Sequence, residues 1–117
     1  MVSELTIGYS PCPNDTFIFH ALMHGKIPLR HIHFARPLLE DVETLNTWAM
    51  KSKLDVTKLS FHALGYMQDR YTMLNAGAAL GRSCGPLLVT RPDRKTSPSF
   101  WKIAVPGKYT SAALLLQ

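Results

Sequence analysis

Three stretches of this chain place small hydroxyl and carboxyl side chains where a strand-like run gives way to a helix-like one. The first is Ser10-Pro11-Cys12-Pro13-Asn14-Asp15-Thr16, between an apolar run at 5–9 and a helical run at 17–23. Its two prolines stiffen the backbone and remove two amide donors. Asn14, Asp15 and Thr16 then offer three consecutive candidate N-caps. The second is Ser60, which follows the alternating run 54–59 and is placed to cap a helix over 61–67. The third is the pair Thr110 and Ser111, closing the turn after the run 102–105. A helix opening on such a turn presents unpaired N–H groups and a positive dipole end, which attract anions. Each turn has a conformational reading too, since Asn, Asp and Pro shape turns in their own right. Their recurrence is what points to a shared anion site.

Other reactive side chains give weaker patterns. His20 and His24 lie four apart, but Ala21 stands where the zinc-protease pattern needs Glu, and no third ligand has a fitting spacing. His31 and His33 share one face of a strand and read as surface residues. His62 lies beside Ser60, yet adjacency on a helix does not bring a base onto a hydroxyl. The run Gly107-Lys108-Tyr109-Thr110 lacks the order of a phosphate loop. Cys12 lies near a helix start, where a thiolate is favoured. With no His close by, a small packing residue is the simpler role. Cys12 and Cys84 fit free thiols in a reducing compartment better than a disulfide scaffold.

Composition narrows the classes. The chain has 117 residues, 46% of them hydrophobic and 18% charged, which describes one globular domain with a real core. The net charge of +5 raises a nucleic-acid reading, but Lys26, Arg30, Lys51, Lys53, Arg91, Arg94 and Lys95 are scattered, without aromatic interleaving. A solvated basic surface that attracts an anionic small molecule accounts for them, and no nucleic-acid partner is expected. No apolar run approaches the roughly 20 residues that cross a bilayer, so no membrane partner is expected. The first residues lack a secretory pattern, which leads to an expectation of a cytoplasmic protein.

The elements that must position these groups alternate along the chain. Strands are expected at 5–9, 31–36, 54–59, 71–74, 87–91 and 102–105. Helices are expected at 16–24, ended by Gly25, and after Asp41, where Val42, Leu45, Trp48 and Ala49 form one apolar face. Further helices are expected over 61–67 and from Ser111 onward. Residues 37–41 read as a linking loop, 75–86 as a glycine-bearing loop, and 92–99 as a surface loop. The alternation predicts an α/β domain whose ligand sits beyond the carboxyl ends of the strands. The apolar run 112–117 reads as a helix just begun, which suggests a chain cut short.

The runs Ser10 to His20, Asp55-Val56-Thr57-Lys58-Leu59-Ser60, Gly77 to Gly81 with Gly85-Pro86-Leu87-Leu88-Val89, and Val105 to Lys108 with Thr110 closely resemble the 1,4-dihydroxy-6-naphthoate synthase family, which serves menaquinone synthesis by the futalosine route. The resemblance runs in order along nearly the whole chain. It implies a two-lobed fold like the type II periplasmic binding proteins, with lobe one over 1–100 and the hinge and first strand and helix of lobe two over 101–117. It implies a lyase that takes cyclic dehypoxanthinylfutalosine to 1,4-dihydroxy-6-naphthoate with no metal or organic cofactor. It also allows a homodimer at full length. Carried over by motif, Asp15 and Thr16 belong to the cleft wall, Asn46 points into the site, and Ser60, Thr110 and Ser111 hold the anionic substrate. The family's general base is a His of the second lobe with no match here, so it is expected beyond Gln117 and this stretch alone is expected to be inactive. A non-catalytic solute-binding protein for a small carboxylate is the alternative on the same fold. Two positions depart from the family: Ser83 stands where Gly is usual, and Lys51-Ser52-Lys53 replaces a glycine-containing turn.

Overall fold

A strand interrupted at Thr6 forms the centre of the molecule. The computed structural model describes residues 3–93 and 101–117. Strand β1 (Ser3–Leu5) pairs in parallel with β3 (Ile32–Phe34). Strand β2 (Ile7–Tyr9) continues the same line, with β4 (Leu38–Leu39) parallel on one side and β5 (Val56–Thr57) parallel on the other. Asp55 accounts for the interruption. The Thr6 N–H and hydroxyl donate to its Oδ2 at 2.8 and 2.6 Å, and the Asp55 N–H donates back to Thr6 Oγ1 at 2.9 Å. Side-chain bonds thus replace ladder bonds at one position, so the backbone groups stay satisfied.

Helix α1 (Pro13–Met23) begins earlier than expected. Pro13 occupies its first position, where the fixed φ suits a helix and the missing N–H costs nothing. Cys12 is therefore the N-cap, and Asn14, Asp15 and Thr16 all fall within the first turn. Helix α2 (Val42–Met50) is capped by Asp41, which accepts from the N–H groups of Glu43 and Thr44 at 2.9 and 3.0 Å. Leu45 and Ala49 of its apolar face are buried, and Asn46 is buried beside them. Helix α3 (Phe61–Gly65) starts after Ser60 as expected and stops two residues early. Helix α4 (Ser111–Leu116) starts after Thr110. A cluster of Ala49, Ala63 and Met67 joins α2 to α3, with Leu59, Tyr71 and Tyr109 packed around it.

Both longer helices end in the same way. After α1 the N–H groups of Gly25 and Lys26 reach back to Leu22 and Ala21, and Gly25 has φ +64°. After α2 the N–H groups of Ser52 and Lys53 reach back to Ala49 and Trp48, and Ser52 has φ +50°. These are Schellman endings, which need a left-handed residue at the second position. Ser52 and Ser83 are the two non-glycine residues with positive φ among those described.

The structure corrects four expectations. Residues 37–41 contain β4, because Leu38 and Leu39 meet Gly8 and Tyr9 across the sheet. The runs 71–74, 87–91 and 102–105 form no strand. An apolar run becomes a strand only where a neighbour supplies ladder partners, and among the described residues none lies alongside these three. In the second of these runs Leu87 and Val89 are exposed. Of the loop expected at 92–99, residues 94–99 lie outside the described residues, as do Arg94 and Lys95.

Candidate functional site

The carboxyl ends of β2, β4 and β5 lie at one edge of the parallel sheet. Beyond β2 comes Ser10, whose N–H and hydroxyl donate to Asp15 Oδ2 at 3.1 and 2.8 Å. Beyond β5 comes Lys58, whose ammonium lies 3.2 Å from Asp15 Oδ1. Asp15 thus ties two strand ends together. It is buried and its oxygens are engaged, so it is a wall-builder rather than an open ligand. Thr16 is exposed, and its hydroxyl donates back to the carbonyls of Cys12 and Pro13 at 3.1 and 3.2 Å.

Ser60, two residues past Lys58, is held from behind by Asn46. Its N–H donates to Asn46 Oδ1 at 2.9 Å, and Asn46 Nδ2 donates to Ser60 Oγ at 3.3 Å. Asn46 is fully buried and also donates to Glu43 Oε2 at 3.2 Å, so it stands behind the site. Ser60 Oγ accepts from Asn46, which leaves its own hydrogen for a ligand. Thr110 is buried, and its hydroxyl is spent within its own turn. It donates to the Gly107 carbonyl at 2.8 Å and accepts from the Ala113 N–H at 3.2 Å. Ser111 shares an open cleft of about 770 Å³ with Lys58 and Ser60, floored by Leu59, Phe61 and Leu64. The structure therefore brings Lys58, Ser60 and Ser111 to one cleft and sets Asp15, Asn46 and Thr110 behind it. A second hollow of about 480 Å³ at Val89, Thr90, Arg91 and Asp93 is walled by one irregular stretch, away from the strand ends.

The histidines and cysteines keep apart from this cleft. His62 Nδ1 meets the Thr110 carbonyl at 3.1 Å, so its ring ties α3 to the 107–110 turn and is not aimed at Ser60. His20 and His24 stack at 4.1 Å on the exposed side of α1. Among the described residues no group of three His, Cys, Asp or Glu is placed to hold a metal ion. Cys12 is exposed and so is not the packing residue expected. The Ser10 side chain, 2.7 Å from its sulfur, together with the Asp15 and Asn14 N–H groups, holds its thiol below the ordinary cysteine range.

Two site residues escaped the sequence reading. Lys58 brings the cation, and the signal was its place two residues before Ser60, just past an alternating strand. Glu43 accepts the Tyr109 N–H at 3.2 Å with each oxygen. It packs so closely on Gly107 that a Cβ there would overlap its carboxylate. In the sequence Glu43 is only an acid in a first helical turn, and nothing there ties it to a turn sixty-six residues on.

A parallel α/β sheet with a ligand-sized cleft running along β5 and past its carboxyl end defines the class, and comparison with known proteins gives the family. Residues 5–117 match the family model described as menaquinone biosynthesis. The chain belongs to that family. It is 49% identical over 98% of its length to a 1,4-dihydroxy-6-naphtoate synthase of Thermus thermophilus, and 41% identical over 97% to one of Streptomyces coelicolor. The chain spans 41% and 39% of the length of these two relatives. A crystal structure of an Archaeoglobus fulgidus protein matches with a TM-score of 0.61 at 34% identity, covering 68% of this chain and 30% of that one.

Proposed function

We propose that this chain forms the anion-holding wall of a 1,4-dihydroxy-6-naphthoate synthase. The full-length enzyme is a lyase that converts cyclic dehypoxanthinylfutalosine to 1,4-dihydroxy-6-naphthoate in the cytoplasm. The observation that carries this reading is that Lys58, Ser60 and Ser111 line one cleft, which runs along β5 and past its carboxyl end, in a chain of the menaquinone biosynthesis family. The substrate and product are anionic carboxylates. A serine hydroxyl with its hydrogen uncommitted, a second hydroxyl and an ammonium suit such a group, since hydrogen bonds to a charged acceptor are the stronger kind.

The same reading gives the complete protein two lobes, like the type II periplasmic binding proteins. Lobe one spans 1–100, and 101–117 begins the second. The general base is then a His of the second lobe, brought to the substrate as the cleft closes and excludes water. The apolar floor of Leu59, Phe61 and Leu64 suits the aromatic body of the product. No organic cofactor or metal is assigned to the reaction in this reading.

Incubation with cyclic dehypoxanthinylfutalosine, followed by chromatography of the released naphthoate, tests it. The protein carrying this stretch at the length of its relatives is expected to release the naphthoate, and the 117-residue stretch alone is expected to release none. Lack of turnover by the longer protein would refute the assigned reaction. Robust turnover by the short stretch would refute the placing of the base.

A further inference from the structure

A carboxylate that cannot donate sets the direction of every hydrogen bond between the 107–110 turn and Ser60. Glu43 accepts the Tyr109 N–H on one side and an Asn46 Nδ2 hydrogen on the other. Because Glu43 only accepts, the Asn46 amide must turn its nitrogen towards it. Asn46 Oδ1 then faces Ser60, where it accepts the Ser60 N–H. The second Nδ2 hydrogen goes to Ser60 Oγ. With that lone pair occupied, the serine's one hydrogen is directed away from Asn46. Asn46 is fully buried, so water does not compete for these bonds.

We infer that Glu43 and Asn46 are positioning residues that make Ser60 an obligate donor towards the cleft, and so select an acceptor over a donor, a charged acceptor being held most strongly. Glu43 also anchors the turn that leads into Ser111, through the Tyr109 N–H and its contact with Gly107. One side chain thereby registers both serines of the cleft. This inference rests on the functional reading above and adds the origin of its preference for a carboxylate.

A polarity swap tests it in the full-length protein, with 1,4-dihydroxy-6-naphthoate as the calorimetric probe. In Glu43→Gln/Asn46→Asp the new amide donates to the new carboxylate, which accepts the Ser60 N–H as before. The bonds are satisfied again, but the carboxylate now behind Ser60 only accepts, so the serine hydroxyl must donate inward. The double variant is expected to melt near the unaltered protein while binding the naphthoate about tenfold more weakly, the scale of a hydrogen bond to a charged group. Ser60→Ala is expected to weaken binding about tenfold in the unaltered protein and to change nothing further in the swapped one. A merely structural relay would regain stability and affinity together, and that result would overturn the inference. A full Ser60→Ala loss in the swapped background would overturn it as well, since it would assign the weakening to charge repulsion. Should the double variant not fold, the cycle of Glu43→Ala with Ser60→Ala replaces it. Non-additive losses are expected there, and additive ones would overturn the inference. Failure of the unaltered protein to bind the naphthoate would overturn the functional reading and this inference together, whereas normal binding that ignores Glu43 would overturn the inference alone.

Discussion

At Cys12 a neighbouring hydroxyl and two helix amides together decide how the thiol behaves. The Ser10 side chain lies 2.7 Å from the sulfur and holds the thiol below its ordinary range. In a Cys84→Ser background, which leaves one exposed thiol, Ser10→Ala is expected to raise the pH at which iodoacetamide reaches its half-maximal alkylation rate. An unchanged profile would mean that another group sets the thiol. The same scale shows what was legible residue by residue. Ser60 and Ser111 were visible as hydroxyls at strand–helix junctions, and both reach the cleft. Thr110 looked equivalent to Ser111 in the sequence, but as N-cap its hydroxyl is consumed by the Ala113 N–H, which leaves Ser111 as the group in the cleft. Glu43 was not legible, because its partner is a backbone amide that the chain brings back only by folding.

At the scale of elements, the two Schellman endings form a natural pair. Gly25 adopts its left-handed φ freely, whereas Ser52 carries a side chain in the same conformation. Ser52→Gly is therefore expected to stabilise the protein by about 0.5–1 kcal/mol in urea unfolding, and Gly25→Ser to destabilise it by a similar amount. Equal midpoints for Ser52→Gly and the unaltered protein would show that the turn bears no strain. The interrupted central strand has its own signature. The Thr6 hydroxyl, and then its N–H, depress the Asp55 carboxyl below its usual value. A depressed carboxyl stabilises the fold above its unfolded pKa, about 3.9, and loses that contribution as the pH falls through the folded value. The gap in melting temperature between the unaltered protein and Asp55→Asn should thus be widest at neutral pH and close under acid. A gap independent of pH would remove Asp55 from the account. Asp41 as a cap and the Leu45–Ala49 face were readable from local patterns that the fold keeps. β4 was not, because two leucines after a proline become a strand only when Gly8 and Tyr9 are set beside them.

At the scale of the molecule, the radius of gyration is 17.2 Å, against about 13 Å for a compact chain of this length. Extents of 62 × 29 × 23 Å say the same. The α/β alternation was readable through Thr57 because each strand there has a parallel neighbour within reach. Past Tyr71 the apolar runs gave the pattern of strands without the partners that make them so. Family membership was legible in linked motifs, while the division of labour within the site was not. Lys58, Ser60 and Ser111 line the cleft, and Asp15, Asn46 and Thr110 lie behind them. The most direct test of that division is a crystal structure of the full-length protein with 1,4-dihydroxy-6-naphthoate bound. A carboxylate oxygen is expected about 2.5–3.0 Å from Ser60 Oγ, with Asn46 still turned towards Glu43. A naphthoate seated away from Ser60, or an Asn46 side chain swung out to touch it, would contradict the account.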